Sequence, residues 1–340
     1  GQLGALRLRD GSTVSGDITL AGNSRVTGNS GTSTISGDIS GGFALEIGED
    51  TTTGTLALSG VNSYTGETKL SYRILRLDSA SALPGGIAAS GGTSSLNFNG
   101  GVLGLNHGDF TRGTGTGAAQ VKWTASGGFA AFGTDRTVNL GGAGATAIWN
   151  SGSFVPTGSA LILGGSGAAG TLIFENPIDL GTATRTIQAD DGTAAVDGRL
   201  TGILSGTGGI SKSGAGTLEL TADNSFTGTF GVTAGTLRLT GAAGSANNAS
   251  GVAVSGGGTL LLDNTTNLGD RLKDSGTVSL AGGTLSFYHP AAASTNYSET
   301  TGALTVTGTA NVVRTYQAAD GQTSTLSFAS LTYTPGALQF

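Results

Sequence analysis

The feature that most constrains the fold of this chain is an internal repeat. Residues 54–77 align without a gap with residues 216–239, at a constant offset of 162, and eleven of the 24 positions are identical. Both copies begin Gly-Thr-Leu-x-Leu, continue with Asn-Ser, an aromatic residue and Thr-Gly, and close on Leu-Arg-Leu. Such self-similarity is typical of solenoids, in which each repeat buries its apolar face only by stacking on its neighbours.

Inside each copy, apolar residues alternate with small or polar ones, which is the pattern of a β-strand. We expect the leucines to face inward, the asparagine and the last glycine to turn a corner, and the aromatic residue to pack. The residues assigned these structural roles are Leu56, Leu58, Asn62, Tyr64 and Gly66 in the first copy, and Leu218, Leu220, Asn224, Phe226 and Gly228 in the second.

The composition favours short strands joined by many tight turns. Glycine accounts for 63 of 340 residues and proline for only 5, while charged residues make up 11% and hydrophobic residues 37%. Disordered chains combine low hydrophobicity with high charge, so an ordered chain is the better interpretation. The glycine density leaves no apolar stripe of helical period, and no helix is predicted.

Equivalent strands recur at the spacing of solenoid rungs. Leu56 lies 19 residues before Leu75, and Leu237 lies 23 residues before Leu260. Parallel crossovers are overwhelmingly right-handed. The sequence therefore predicts an all-β fold, a single right-handed parallel β-helix of roughly 15–17 rungs, continuous over residues 1–340. Lateral excursions are expected within 106–170 and 286–300. The alternative is an array of β-sandwiches, but the gapless match at long offset favours the solenoid.

The repeated string resembles the passenger-associated transport repeat of autotransporter passengers and related large secreted proteins. The lead-in to the second copy, residues 204–216, also fits that repeat. The first copy departs from it at 42–53, which is three residues longer, and at Tyr72-Arg73-Ile74. The resemblance implies a right-handed β-helix that is secreted by a Gram-negative bacterium and is extracellular or on the cell surface. The repeat is structural, so it indicates the fold and the export route more than a function.

Charge and composition exclude several classes of function. The net charge is −6 and there is no dense basic cluster, so nucleic acid is not an expected partner. The chain has no cysteine, which excludes disulfides and thiolate metal sites. It has no apolar run of 18 residues, so no membrane-spanning helix is predicted.

Two acidic groups are the candidates for catalysis: Glu46, Glu49 and Asp50, and Asp190 and Asp191 with Asp197 and Arg199 nearby. A polysaccharide lyase or glycosidase on a β-helix would need clustered carboxylates on either side of one bond. Adjacent carboxylates in a turn more commonly face water. We therefore predict no catalytic residue and no enzyme, with the carbohydrate-active enzyme as the less favoured alternative.

No metal or cofactor site is predicted either. The glycine-rich stretch 141–146 resembles a calcium-binding nonapeptide, but Thr146 stands where the ligating aspartate is needed. His107 and His289, the two histidines of the chain, are far apart in sequence and are expected to face solvent.

The leading functional hypothesis is an extracellular structural or adhesive β-helix, a rod-like component of the cell surface or matrix. The alternative is a ligand-specific bacterial adhesin, with Trp123 and Trp149 as a candidate binding surface or, equally, interior stacks. Expected partners are cell-surface or matrix polymers, or copies of the chain itself. Residues 4–8 and 336–340 both read as ordinary rungs. This favours either a segment of a longer solenoid or head-to-tail stacking into a filament.

Overall fold

The computed structural model describes residues 5–28, 30–48, 54–142, 144–266, 269–289, 296–316, 322–334 and 338–339. The chain divides into two compact units. Unit 1 comprises Gly1–Asn176 with Asp191–Asp197, and unit 2 comprises Pro177–Asp190 with Gly198–Phe340. The described residues form short strands and turns, with no helix among them. The predicted continuity of one β-helix over the whole chain stays a prediction.

Unit 1 is built from two main ladders of parallel strands. Ladder I contains β1 (Leu6–Leu8), β4 (Ser24–Gly28), β7 (Leu45–Ile47), β9 (Thr68–Leu70), β11 (Leu96–Phe98) and β13 (Val121–Trp123). Ladder II contains β2 (Thr13–Val14), β5 (Thr32–Ile35), β8 (Thr55–Leu58), β10 (Ile74–Leu77), β12 (Val102–Leu105), β14 (Gly127–Ala131) and β17 (Ala160–Gly164). The shorter pairs are β3 (Ile18–Leu20) with β6 (Ile39–Gly41), and β15 (Arg136–Val138) with β18 (Leu172–Phe174); β16 spans Ala147–Ile148.

Unit 2 also contains two main ladders. Ladder III contains β20 (Arg185–Asp190), β23 (Ile210–Ser213), β25 (Phe230–Val232), β27 (Gly251–Ser255), β29 (Thr277–Ala281), β31 (Tyr297–Thr307) and β33 (Ser324–Tyr333). Ladder IV contains β21 (Gly198–Leu200), β24 (Thr217–Leu220), β26 (Thr236–Leu239), β28 (Thr259–Asp263), β30 (Thr284–Tyr288), β32 (Asn311–Tyr316) and β34 (Leu338–Gln339). A short pair joins β19 (Ile178–Asp179) to β22 (Leu204–Ser205).

Strand order and register identify the fold as a parallel β-helix, as the sequence predicts. Along the sequence, strands of other ladders lie between two consecutive strands of one ladder. Those two strands pair in parallel, so the chain returns to the same ladder once per rung. Leu56 pairs in register with Leu75, and Leu237 pairs with Leu218 on one side and Leu260 on the other. The leucines that sequence spacing identifies as equivalent are therefore paired on neighbouring strands. Ladders II and III contribute seven strands each.

The core is a set of apolar columns along the stacked rungs. In unit 1 a column runs through Leu58, Leu77, Leu105 and Ala131, and all four side chains are buried. Because side chains alternate across a strand, the residues between these positions lie on the outer side of the ladder, where Val102, Ala130 and Ile162 form a second buried apolar cluster with Phe132 and Ala168. The alternation gives a polar outer face where ladders I and IV carry charged side chains, but an apolar one on this part of ladder II.

One rung of unit 1 is longer than its neighbours. The side chain of Asp135 bonds the backbone of Thr171, and that of Asn176 bonds Leu140, across 36 residues in each case. Comparable bonds across neighbouring rungs, such as that between Asn62 and Ile39, span 23 residues. The extra length lies within the predicted excursion 106–170. Of the predicted excursion 286–300, residues 286–288 belong to β30 and residues 297–300 to β31, while 290–295 lie outside the described residues.

No helix in the described part of the chain has the length and apolarity that crossing a membrane requires.

Candidate functional site: repeat corners and outward faces

The repeat leucines form the inner wall of each copy. Leu56, Leu58, Leu218 and Leu220 are all buried in strands β8 and β24. Burying a leucine side chain contributes about 1.5–3 kcal/mol to folding. These residues therefore carry the packing of their rungs and are unavailable to a ligand.

Each repeat asparagine joins three consecutive rungs at a buried corner. Asn62 Oδ1 accepts the backbone N–H of Ile39 at 2.8 Å, and Asn62 Nδ2 donates to the carbonyl of Ala82 at 2.7 Å. Asn224 repeats this arrangement, because its Oδ1 accepts from Leu204 at 3.0 Å and its Nδ2 donates to Ser245 at 2.8 Å. A side-chain amide suits the position because it supplies a donor and an acceptor at once.

The repeat glycine is required by a close approach of two rungs. A Cβ atom at Gly66 would lie 2.2 Å from the carbonyl carbon of Phe43, and one at Gly228 would lie 2.5 Å from that of Gly208. Backbone atoms of the preceding rung occupy this space, so no side chain fits without moving the rung. The glycine therefore sets the spacing of the corner.

The aromatic position is fully buried in both copies but has different neighbours. Tyr64 Oη lies 2.7 Å from Thr68 Oγ1, which in turn lies 2.8 Å from Ser94 Oγ. Phe226 packs edge-on against Phe230, with ring centroids 6.0 Å apart. The residue four positions after the aromatic is thus polar where the ring carries a hydroxyl and apolar where it does not. The polar neighbour gives the buried hydroxyl a hydrogen-bond partner, and the apolar neighbour packs against the buried phenyl ring.

The two tryptophans lie inside unit 1, which corrects their assignment as a candidate binding surface. Trp123 and Trp149 are each 4% exposed. Phe154 packs against both, with centroid distances of 5.1 and 5.6 Å, and Phe98 lies 4.8 Å from Trp123. These large rings pack against one another inside unit 1. They form an interior stack without a face for a sugar or a protein.

The carboxylates proposed for catalysis do not converge on a site. Glu46 belongs to an ion-pair ladder, Asp190 accepts from Gln188, and buried Asp197 accepts the N–H of Gly192 at 2.7 Å. Arg199 pairs with Glu219 at 2.6 Å. Glu49 and Asp50 lie outside the described residues. Asp191 is exposed, and Glu46, Asp190 and Asp197 accept hydrogen bonds from their own turns or from a neighbouring rung.

The histidines are placed differently from each other. His107 is exposed, as expected. His289 is buried, with its ring 4.4 Å from that of Tyr297, so the expectation that it faces solvent was wrong. Position 289 follows the outward Tyr288 and is therefore inward by alternation, which is the signal that could have located it. Across the described residues, no group of three or more His, Cys, Asp or Glu could bind a metal ion.

Three fully buried cations were not anticipated from the sequence. Lys212 donates to the carbonyls of Gly214, Gly216 and Ala234, while Arg112 and Arg271 donate to backbone carbonyls of neighbouring turns. Burial lowers the pKa of Arg112 to about 10, and that of Arg271 likewise to about 10. Turns in a solenoid leave carbonyls unpaired, and these cations satisfy them. The glycine clusters that flank Lys212 are the only sequence signal.

The outward face of ladder I carries an ion-pair ladder. Arg25, Glu46 and Lys69 are paired in register on β4, β7 and β9. Glu46 contacts Arg25 at 2.8 Å and Lys69 at 3.1 Å, and accepts from Ser71. Burial alone would raise the pKa of Glu46, but these three partners lower it below its usual value. Further along the ladder, Lys122 pairs with Glu67 at 2.6 Å.

The outward face of ladder IV carries a second ion-pair ladder. Glu219 is paired in register between Arg199 and Arg238, at 2.6 and 2.8 Å, and Arg238 also contacts Asp263. Burial would raise the pKa of Asp263, but hydrogen bonds from Thr265 and the pairing with Arg238 hold it below its usual value. The ladder borders an open groove of about 380 Å³ that also includes Thr221.

The outward face of ladder IV carries side chains that can bind a polar ligand. Arginine and threonine side chains at regular rung intervals offer hydrogen bonds to an extended polar ligand. The leucine, asparagine, aromatic and glycine positions of the repeat are all occupied with packing. Several of the outward residues between them remain accessible in the described rungs.

Comparison with known proteins supports this picture. The family model described as passenger-associated-transport-repeat matches residues 53–71 and 210–239. The chain is also similar to the adhesin BmaC autotransporter of Brucella suis biovar 1 (strain 1330), with 35% identity over 112 residues. That match covers 29% of this chain and 3% of the relative, so the chain spans a small part of the relative's length. No solved structure matches the chain. The chain thus carries the passenger-associated transport repeat in two copies, both on stacked rungs of a parallel β-helix.

Proposed function

We propose that this chain is a segment of a surface-exposed or secreted bacterial passenger and acts as a non-enzymatic adhesive scaffold. The observation that carries the proposal is the match of both repeat copies to the passenger-associated repeat, together with the similarity to an autotransporter adhesin. The described architecture is compatible with this role, because stacked rungs repeat polar groups along one face. Many weak contacts at fixed spacing can produce strong attachment without a deep site.

A cell-binding assay tests the adhesive role. Beads coated with the folded chain should attach to cultured epithelial cells or to immobilised extracellular matrix, while beads coated with the heat-denatured chain should not. Attachment no greater than that of beads coated with an unrelated β-helix protein would reject the proposal.

The enzyme alternative has a separate test. The chain should release neither reducing nor unsaturated ends from a panel of plant, bacterial and animal polysaccharides. Release that is abolished by Asp190→Ala or Asp191→Ala would replace the adhesive role with a lyase or glycosidase.

Head-to-tail stacking of copies into a filament is a further proposal about partners. It follows from the parallel strand pairing of each ladder, since a strand edge can pair with another chain. Electron microscopy at high protein concentration distinguishes the outcomes: filaments are expected if copies stack, whereas particles of one fixed length would reject stacking.

A further inference from the structure

The outward face of ladder IV continues beyond the ion-pair ladder into an exposed aromatic patch. Asp263, Tyr288 and Tyr316 are paired in register on β28, β30 and β32, and Ser286 is paired with Arg314 two residues earlier. Tyr288 follows buried Phe287 and so points outward, and Tyr316 is paired in register with it. Charged rungs and aromatic rungs therefore occupy the same face of the same ladder.

Tyr288 and Tyr316 form an aromatic pair that solvent can reach. They are 38% and 42% exposed, and their rings lie 6.0 Å apart at an interplanar angle of 63°. Large aromatic side chains in a solenoid normally fill the interior, as the buried Phe287 beside them does. Two tyrosines in edge-on contact across adjacent rungs present apolar ring surface together with hydroxyl groups, a combination enriched at binding sites.

Arg314 places a positive charge beside this pair. Its guanidinium carbon lies 5.1 Å from the centre of the Tyr316 ring, and its Nε donates to Ser286 Oγ at 3.3 Å. Among the described residues it forms no ion pair with a carboxylate, in contrast to Arg199 and Arg238 on the same face. Its remaining N–H donors can take a planar carboxylate in a two-bond contact.

The charge of the face is complementary to an anion. Three arginines, at 199, 238 and 314, stand against two carboxylates, Glu219 and Asp263. Both carboxylates are buried and already paired with arginine. The face is thus locally positive on a chain whose net charge is −6.

We infer that this face binds a linear acidic polysaccharide whose sugars carry carboxylates. Sugar rings would stack their C–H faces on Tyr288 and Tyr316, and a uronate carboxylate would be bound by Arg314. The groove beside Arg238 and Thr221 would accept the next sugars through their hydroxyl groups. Rungs about 4.8 Å apart offer contacts at regular intervals along such a chain. An aromatic and cationic patch fits this ligand better than a neutral glycan, which would offer no carboxylate to Arg314.

This inference rests on the adhesive role proposed above and names one class of ligand for it, but the two can fail separately. If coated beads attach to cells equally with the unmodified chain and with Arg314→Gln, the adhesive role stands and the assignment of the ligand to this face is overturned.

The direct test measures binding of the purified chain to alginate, a polymer of uronic acids, with dextran as the neutral comparison. The chain should bind alginate and not dextran, and binding should weaken as salt rises. Arg314→Gln, which keeps the side chain as far as Cδ but removes the guanidinium and its charge, should weaken alginate binding by roughly tenfold or more. Tyr288→Ala and Tyr316→Ala should each weaken it as well.

Tyr333→Ala is the matched control, because Tyr333 is an exposed tyrosine of unit 2 on β33 and outside this face. It should leave alginate binding unchanged, and circular dichroism should show that every variant keeps its β-structure. The inference is overturned if the chain does not bind alginate, if it binds dextran equally well, or if Arg314→Gln binds as the unmodified chain does. It is also overturned if Tyr288→Ala and Tyr316→Ala weaken binding to a protein of the extracellular matrix and the chain does not bind alginate.

Discussion

Asn62 Oδ1 accepts a hydrogen bond from the backbone N–H of Ile39, 2.8 Å away and 23 residues earlier in the chain. Asn62→Ala would leave this buried N–H and the carbonyl of Ala82 without partners. We expect a loss of about 1–3 kcal/mol per unpaired group in the free energy of unfolding. Urea denaturation followed by circular dichroism measures it.

Asn23→Ala is the control for that prediction. Asn23 Oδ1 also accepts a backbone N–H from the next rung, that of Ala44 at 3.0 Å, but Asn23 is exposed. Water can replace its side chain, so the variant should lose less than about 0.5 kcal/mol. Equal losses in the two variants would show that burial of the corner is not the cause.

Gly66→Ala should destabilise unit 1 through a backbone collision. The new methyl group would lie 2.2 Å from the carbonyl carbon of Phe43, so the rungs must separate at that corner. Overpacking of this kind costs about 1–3 kcal/mol. Gly42→Ala is the control, since a Cβ at Gly42 meets no atom within 4 Å. A Gly66→Ala chain with the urea midpoint of Gly42→Ala would contradict the assigned role.

The two aromatic repeat positions should not tolerate the same residues. Tyr64→Phe removes the hydroxyl that contacts Thr68, which keeps Ser94 as a partner, so we expect a loss of about 1 kcal/mol. Phe226→Tyr introduces a buried hydroxyl beside Phe230 and should cost about 1–3 kcal/mol. Urea denaturation of the two variants provides the comparison, and a stabilised Phe226→Tyr would contradict it.

Glu299 should make stability fall as pH rises. Its carboxylate is buried on β31 and accepts the N–H groups of Arg271 and Leu272 at 2.9 and 3.0 Å. Burial raises the pKa of Glu299 from 4.5 to about 8, with a contribution from nearby Asp270, and the two N–H donors only partly oppose it.

The sign follows from where the proton is held. Below pH 4.5 the carboxyl is protonated in both states, and between 4.5 and about 8 only the folded chain retains the proton. The free energy of unfolding should therefore fall across this window, by at most about 1.4 kcal/mol per pH unit from this group. Glu299→Gln should flatten the slope, while Glu175→Gln, at an exposed position, should not. An unchanged slope in Glu299→Gln would refute the prediction.

The fold could be predicted from the sequence because the repeat period and the alternation of apolar with polar residues recur along the chain. Pairs such as Leu56 and Leu75 could be matched by spacing alone, and their register in the structure is the same. The corner asparagine was assigned to a turn, but its bonds to rungs before and after it depend on neighbouring chain segments, which a single repeat does not reveal.

The surface was harder to predict than the interior. Trp149 lies in the long rung, where residue spacing does not show which face is inward, whereas Trp123 alternates with Lys122 on β13; both proved to be buried. The outward direction of Tyr288 could have been recognised from its position after Phe287. Its edge-on contact with Tyr316 could not be predicted without the register of β30 and β32.

The corner asparagines have a consequence for how such a chain can change in length. The side chain of Asn224 bonds to the rung before it at Leu204 and to the rung after it at Ser245, and also to Ala222 in its own rung. Duplicating or deleting a segment of about 20 residues, one complete rung, would recreate the same bonds between new neighbours. A deletion of odd length within a strand would instead turn its leucines to solvent. The molecule is therefore modular in whole rungs, and its reach from a surface could be adjusted in steps of about 4.8 Å.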